Sequence, residues 1–553
     1  METSYIKDLF KEWQLEDKFF VSTRACKEIE SRIINKNFVI VAGQSGYGKS
    51  AIVQHIAVDF REKKWYVKPV ENVKEIKESY RNEDFEKGKT LFVLNDPFGK
   101  EVLDEIEYEN WKHYEKELVR FLDTNKVKLL LTCRKCIIDQ ISNSISSRVF
   151  KENSIIFIDA NNLKLSPTEK REIFERYSRY EKGVNEETLS EIIEIDEYFP
   201  LLCKLYANRK NHEETNSSLF TEPIIFFSEE IGNYRRNNKE IYCALACLVF
   251  FNNKVCLENL ENSKNQECFT DCLKICNIPD YTEPCQIIRS LENLVGKFVK
   301  KIGDHYIFIH DLIMELTTLV LGTNHLSKLI KYADISFLRT RLRLHKDDWS
   351  TILLKDDFFE SLCERLYEHL FSKRCLEVIL NPCLRSRDVT KRLKKKLGHN
   401  RENMQMLIEE TVEINKLGRN ISVRDVQSLI SKFDFLNLFV EISRLFALIV
   451  FDQTDLSVFC IKTLRKMNID LSKSNIFSAV CANGSSDLFK LFSERDANGF
   501  VEEAWGYLYP FQIVILFNCA NSLKELIRLG MNCLLYTSDA ADDMQCVDLG
   551  GRR

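Results

Sequence analysis

The sequence predicts an α/β core built on a parallel sheet, followed by a region that is almost entirely helical. Short apolar runs alternate with helical patterns between about residues 31 and 160, as in a sheet covered on both faces. Strand patterns nearly vanish after Leu165. The chain has only 18 glycines and 9 prolines in 553 residues, about 5% against the roughly 12% of average usage, which disfavours an all-β protein.

The elements follow in order. Residues 7–36 alternate apolar and charged positions at helical spacing, interrupted by Phe20-Val21-Ser22-Thr23, which supplies an N-cap for a helix over Arg24–Ile34. Phe38–Val41 reads as a buried strand, a Gly-rich turn follows, and Ala51–Phe60 reads as a helix. Further strands are expected at Leu91–Leu94, Lys128–Thr132 and Ser154–Ile158, with a helix around Trp111–Asp123 between the first two. Ser166-Pro167-Thr168-Glu169 has the form of a capping box with Pro at the first helical position. Residues 168–215 then read as a small helical lid. Residues 220–322 are mixed and end in a strand, Tyr306–Ile309, followed by a helix. In the last third, Leu456, Leu488 and Leu523 open similar helical patterns, at a spacing close to the ~33 residues of ankyrin repeats; a generic helical array is the alternative.

Composition excludes several classes. A hydrophobic content of 44% excludes a disordered chain, and 79 basic against 83 acidic residues gives no global field selecting nucleic acid or membrane. No apolar run reaches the ~18 residues of a membrane span, and Ile241–Phe251 reads as a buried helix. Met1–Trp13 is too charged for a signal peptide. The 19 cysteines lack a short disulfide framework, so reduced thiols in a soluble, cytoplasmic protein are expected.

The strongest motif is Gly43-Gln44-Ser45-Gly46-Tyr47-Gly48-Lys49-Ser50, a full G-x-x-x-x-G-K-[ST] between an apolar strand and a helix. Its glycines let the backbone wrap phosphates at a helix N-terminus. Lys49 is expected to reach the β- and γ-phosphates, and the Ser50 hydroxyl to ligate Mg²⁺. The second motif, Leu91-Phe92-Val93-Leu94-Asn95-Asp96-Pro97-Phe98-Gly99, delivers the Asp96 carboxylate from a buried strand to the same metal. The first position after the strand is Asn95 rather than Asp, so hydrolysis is expected to be weak or absent. The third, Leu130-Leu131-Thr132-Cys133-Arg134, ends a strand in an arginine placed to sense the γ-phosphate, or else in a surface arginine. No Asn-Lys-x-Asp follows, so nothing selects guanine.

With Trp13 and Phe20–Thr23, and the Ser50–Ala57 continuation of the phosphate loop, these motifs resemble the STAND class of signal-transduction NTPases. They are most similar to the third subgroup of novel STAND NTPases seen in invertebrate proteins. The resemblance spans roughly residues 8–325. It implies an ATP/ADP-switched regulator in signal transduction, innate immunity included, with an NTPase core, a helical lid, a winged helix and superstructure-forming repeats. A Gly-x-Pro in related lids approaches the adenine; here Tyr198-Phe199-Pro200 has Tyr for Gly, so only Pro200 carries over. Ile309-His310-Asp311 is similar to a Met-His-Asp motif that holds the β-phosphate of ADP in some relatives; the alternative for His310 is an ordinary core or surface histidine.

The expected organisation is an N-terminal helical segment (1–30), the P-loop NTPase domain (31–162), a helical lid (163–218) and a winged-helix-like domain (219–325). A helical linker (326–430), ankyrin-like repeats (431–532) and a tail (533–553) follow. The tail resembles translated sequencing-adapter read-through, so it is expected to be foreign and disordered, with the natural chain continuing into further repeats. Self-association on activation and a protein partner on the repeats are expected. The alternatives are a nucleotide-binding scaffold with little hydrolysis and a housekeeping ATPase or nucleotide kinase. Two clusters have plain readings. Cys268, Cys272 and Cys276, with Cys285 nearby, form a helical stripe more suited to buried thiols than to Zn²⁺. The basic run from Arg385 to Arg401 lacks interleaved aromatics and reads as a solvated helix face rather than a nucleic-acid or lipid site.

Overall fold

The computed structural model describes residues 4–100, 103–142, 154–178, 186–209, 216–345, 351–412, 432–436, 442–469, 471, 476–493, 510–517 and 519–529. They fall into two compact units, Met1–Asp334 with Lys346–Ile352, and Ile335–His345 with Leu353–Arg553. The tail expected to be foreign lies outside the described residues, as does most of the segment between 413 and 441.

The first unit opens with α1 (Ser4–Asp17) and α2 (Arg24–Asn35). Thr23 caps α2 as its side chain accepts from the Cys26 backbone N–H, satisfying a donor that a helix start leaves unpaired. Next come β1 (Phe38–Gly43), α3 (Lys49–Glu62), β2 (Tyr66–Val70), α4 (Val73–Arg81) and β3 (Thr90–Leu94). The sheet is completed by β4 (Lys128–Arg134) and β5 (Ile155–Phe157), with α5 (Glu105–Asn125) and α6 (Lys135–Ser142) on either side of β4 in sequence. All four pairings are parallel, in the order β2-β3-β4-β1-β5.

Side chains alternate across the sheet, and each face has its own core. Ile40, Phe92, Leu94, Leu129 and Leu131 pack with Trp111, Leu118 and Leu122 of α5. Val39, Val41, Leu91, Val93 and Leu130 pack with Ile56 of α3, Ile29 of α2 and Trp13 of α1. Two-sided burial explains why these strands read as continuous apolar runs. β2 escapes that reading because Tyr-Val-Lys-Pro-Val carries Lys68 and Pro69, which an edge strand tolerates.

A helical segment follows: α7 (Pro167–Tyr177), α8 (Glu186–Glu194), α9 (Phe199–Ala207) and α10 (Asn216–Thr221). Ser166 and Glu169 form the full capping box with Pro167 in the first turn. Glu169 also accepts from the Arg24 backbone N–H at 2.7 Å, tying α7 to α2. The last part contains α11 (Pro223–Asn237), α12 (Lys239–Phe250), α13 (Leu257–Glu261), α14 (Gln266–Ile275) and α15 (Pro284–Asn293). An antiparallel hairpin of β6 (Val299–Ile302) and β7 (His305–Phe308) then leads into α16 (Asp311–Tyr332). α16 leaves helical geometry at His325, where the linker was expected to begin, and the compact unit runs on to Asp334. Cys272 and Cys276 meet Cys243 and Cys247 of α12 in the core. Every described cysteine is a free thiol.

Among the described residues, the second unit is helical apart from the short strand Leu342–Arg343 and Leu353, which ends the strand Ile352–Leu353. Helices Arg444–Val450, Ile476–Asn483 and Pro510–Leu516 pack in succession, each followed by a partner starting at Thr454, Ser486 and Ala520. The basic helix Arg387–His399 is answered by acids: Arg392 and Lys396 pair with Glu360 at 3.2 and 2.9 Å, and Lys394 with Asp455. Those charges are engaged within the unit, in keeping with a solvated face. No described helix is long and apolar enough to cross a membrane.

Candidate functional site

Because β1, β3 and β4 are parallel neighbours, their C-terminal ends meet at one edge of the sheet, the usual place for a ligand in an open α/β sheet. β1 delivers the phosphate loop, the turn after β3 delivers Asn95 and Asp96, and β4 ends in Arg134. A cleft of about 390 Å³ opens there, lined by Ser45, Gly46, Gly48, Lys49 and Ser50, and by Asn95, Asp96, Arg134, Pro200 and His310. Of the other loop residues, Tyr47 lines a neighbouring apolar recess, and Gly43 and Gln44 contribute carbonyls.

The loop's backbone depends on glycine. Gly46 and Gly48 have φ of 76° and 96°, conformations that cost other residues strain. A Cβ on Gly46 would also lie 2.3 Å from the Tyr198 ring. The Lys49 ammonium is buried and donates to the Gly43 and Gln44 carbonyls at 3.1 and 2.8 Å. Burial pulls its pKa down, with Asp96 acting against that. Ser50 is exposed to the cleft.

Asp96 sits at φ 41°, a left-handed conformation that Asp and Asn adopt more readily than other residues with a Cβ. Its backbone N–H donates to the Thr132 hydroxyl at 2.9 Å, and that hydroxyl lies 3.3 Å from both the Asn95 and Asp96 side-chain oxygens. Thr132 thereby fixes the turn. Arg134 is buried, with Nε 3.8 Å from Asp96 and Nη2 3.1 Å from Asp311. Lys100 also pairs with Asp311. Burial acting alone would raise the Asp311 carboxyl pKa, but Lys100, His310 and Arg134 outweigh it and hold it well below the usual range.

His310 caps α16, its Nδ1 accepting from the Leu312 N–H at 3.1 Å. That bond leaves the proton of a neutral imidazole on Nε2. Burial pushes the His310 pKa down to about 4; Asp311 opposes this, but Arg134, Lys100 and Lys49 reinforce it. Tyr198, where related lids carry Gly, adopts φ 58° before α9, so the backbone takes a glycine-like conformation despite the side chain. Pro200 in the first turn of α9 lies beside Gly48.

The structure therefore gathers every sequence-selected residue of the loop, Asp96, Arg134, Pro200 and His310 around one region. Sequence reasoning missed Lys100 and the bridging role of Asp311, whose partners lie 211 and 177 positions away. It also missed a charged group at the cleft wall, where Lys204 of α9 pairs with Glu16 of α1, and Lys300 of β6 lies 3.2 Å from Glu12. In the sequence Glu12 and Glu16 are two charged positions of a helical pattern; the packing of α1 against α3 and β6 turns them inward. Among the described residues, His, Cys and acidic side chains converge as a metal-sized group at Cys26, Glu30 and His55, and not at the cysteine stripe.

Residues 20–180 match the model of the novel STAND NTPase 3 family. The match covers α2, the whole sheet and α7, so the resemblance borne by the motifs is shown over that span, short of the 8–325 expected. Family match and phosphate loop together define a nucleotide-binding NTPase domain. Among solved structures, a crystal structure of a DNA replication initiation factor is similar at 13% identity, over 56% of this chain and 92% of that one. The TM-score of that match is 0.22. No curated protein matches the chain.

Proposed function

We propose that the chain is a STAND-type switch, in which bound ATP or ADP sets whether the α11–α16 region stays closed on the NTPase domain. The observation that carries this reading is Asp311, at the start of α16, held by Arg134 and Lys100 of the NTPase domain. Arg134 is the residue expected to sense a γ-phosphate, so a triphosphate and Asp311 would compete for the same guanidinium. His310, beside them, offers an Nε2–H suited to a β-phosphate oxygen. On this reading α12, α14, α15 and the β6–β7 hairpin are the winged helix, α7–α10 the lid, and the apolar recess by Phe20, Tyr47 and Leu163 the seat of the base.

The residues fit a Mg²⁺-nucleotide: the Ser50 hydroxyl and Asp96 carboxylate both line the cleft. Mg²⁺ would neutralise phosphate charge, and Lys49 would exchange its loop carbonyls for phosphate oxygens. The helix pairs of the second unit, starting about 32–34 residues apart, support ankyrin-like stacking as a partner surface. A second reading, a nucleotide-binding scaffold with little hydrolysis, is favoured by Asn95, which brings no charge to the position beside Asp96.

Light scattering of the purified chain with ADP, ATP or a non-hydrolysable ATP analogue tests the switch. Assembly with the triphosphates alone supports it. The same mass in all three states, with nucleotide bound, favours the scaffold.

A further inference from the structure

At the rim of the cleft, but outside the phosphate site, two helices bring together a thiol, a carboxylate and an imidazole. Cys26 and Glu30 lie one turn apart on α2, and His55 lies on α3, the helix that begins at the phosphate loop. Cys26 Sγ is 3.5 Å from Glu30 Oε1, and His55 Nε2 is 3.6 Å from the same oxygen. All three ligand atoms lie within 4.8 Å of one another. Tetrahedral zinc bonds to S, N and O place such atoms roughly 3.3–3.7 Å apart, so two of the three edges already have the required length.

The ring's orientation gives a second, independent reason. His55 Nδ1 is 2.7 Å from Asp17 Oδ1, and Phe20 stacks on the imidazole at 4.1 Å with an interplanar angle of 16°. With Nδ1 held by Asp17, Nε2 is the nitrogen turned toward Glu30, where the neutral ring offers its lone pair to a bound cation. A carboxylate holding the far nitrogen of a metal-binding histidine is the usual second layer of a zinc site.

We propose that Cys26, Glu30 and His55 bind Zn²⁺, with Asp17 as the positioning residue for the imidazole. A thiolate, an imidazole and a single carboxylate suit zinc rather than Mg²⁺ or Ca²⁺. Glu30 and His55 side chains are 35% and 25% exposed, so water has access to the fourth position. On binding, zinc forms a bond to the Cys26 sulfur and the thiol proton passes to solvent. The bound ion would staple α2 to the phosphate-loop helix, with α1 attached through Asp17.

The test uses the full chain, stripped with chelator and titrated with Zn²⁺ or with Co²⁺ as the spectroscopic probe. The expected result is one equivalent per chain, proton release in weak buffer, and the thiolate-to-cobalt charge-transfer and tetrahedral ligand-field bands. Cys26→Ser with His55→Ala should lose that equivalent, while Lys49→Ala keeps it, which separates this site from the nucleotide's metal. Glu30→Gln, at a part-exposed position that leaves the core intact, and Asp17→Asn should each weaken binding by roughly tenfold or more. Absence of the bands, or an unchanged stoichiometry in both Cys26→Ser/His55→Ala and Glu30→Gln, overturns the proposal.

Discussion

At the residue scale, the cleft is built from charges that satisfy one another until a ligand offers something better. Lys49 spends its protons on the Gly43 and Gln44 carbonyls; phosphate oxygens would replace these with stronger, charge-assisted bonds. Lys49→Ala should therefore lower ATP affinity on the order of 100-fold, from bonds of about 1.5–3 kcal/mol each; calorimetry giving wild-type affinity would detach nucleotide binding from this loop. Asn95 calls for the opposite test. Asn95→Asp adds a carboxylate beside Asp96, and turnover should rise roughly tenfold, the effect of about 1.4 kcal/mol on a barrier, with little change in binding. Phosphate release is the measurement, and equal rates would mean that Asp96, fixed by Thr132, suffices. The loop, Asp96 and Arg134 were legible because each has a local motif. Lys100 was not, since nothing local marks a lysine whose partner is Asp311.

At the element scale, helix ends and strand ends decide what meets. The caps at Thr23 and Ser166 are sequence-local, so they were readable, as were the strands buried on both faces. The edge strand β2 and the inward turn of Glu12 and Glu16 were not, because both depend on neighbours supplied by the fold. Lys300 is held by Glu12, with burial the largest influence on either group. Glu12→Ala takes from that ammonium its paired carboxylate, leaving the charge of Glu16 nearby, and should cost about 1–3 kcal/mol in denaturant unfolding, most of it recovered by adding Lys300→Met. No recovery would mean that the loss comes from other contacts of Glu12 and not from the unpaired ammonium. His310 gives α16 a pH dependence. Its pKa is about 4 here against the ordinary 6.5, so between those values the unfolded chain binds more protons and stability rises with pH. The contribution is complete above about pH 6.5 and is lost as pH falls toward 4. Asp311, whose carboxyl is depressed, adds its own loss only below about pH 4. His310→Asn keeps an N-cap acceptor but does not titrate, so its melting temperature should fall less than wild type between pH 6.5 and 4; parallel profiles would refute the assignment.

At the scale of the whole first unit, segments 211 and 177 positions apart in the sequence are joined at one carboxylate. Asp311 ties the start of α16 to the ends of β4 and of the β3 turn through Arg134 and Lys100. Such long-range pairing is invisible in a single sequence, which shows a His-Asp dipeptide but not what it faces. If Asp311 is the latch, its charge weights the closed state and a γ-phosphate must outbid it for Arg134. Moving a two-state population from 1:99 to 99:1 takes about 5.5 kcal/mol, and a buried charge-assisted contact supplies about 1.5–3 of that. Asp311→Asn keeps the shape and removes the charge, so it should shift the balance by roughly 10- to 100-fold toward the open form. Self-association should then begin at correspondingly lower ATP, while Lys100→Gln, which spares the Arg134 contact, should show a smaller shift in the same direction. Light scattering across an ATP titration reads both. Assembly of Asp311→Asn at the same ATP concentration as wild type would mean that Arg134 is held for structure alone, and that nucleotide state is transmitted elsewhere.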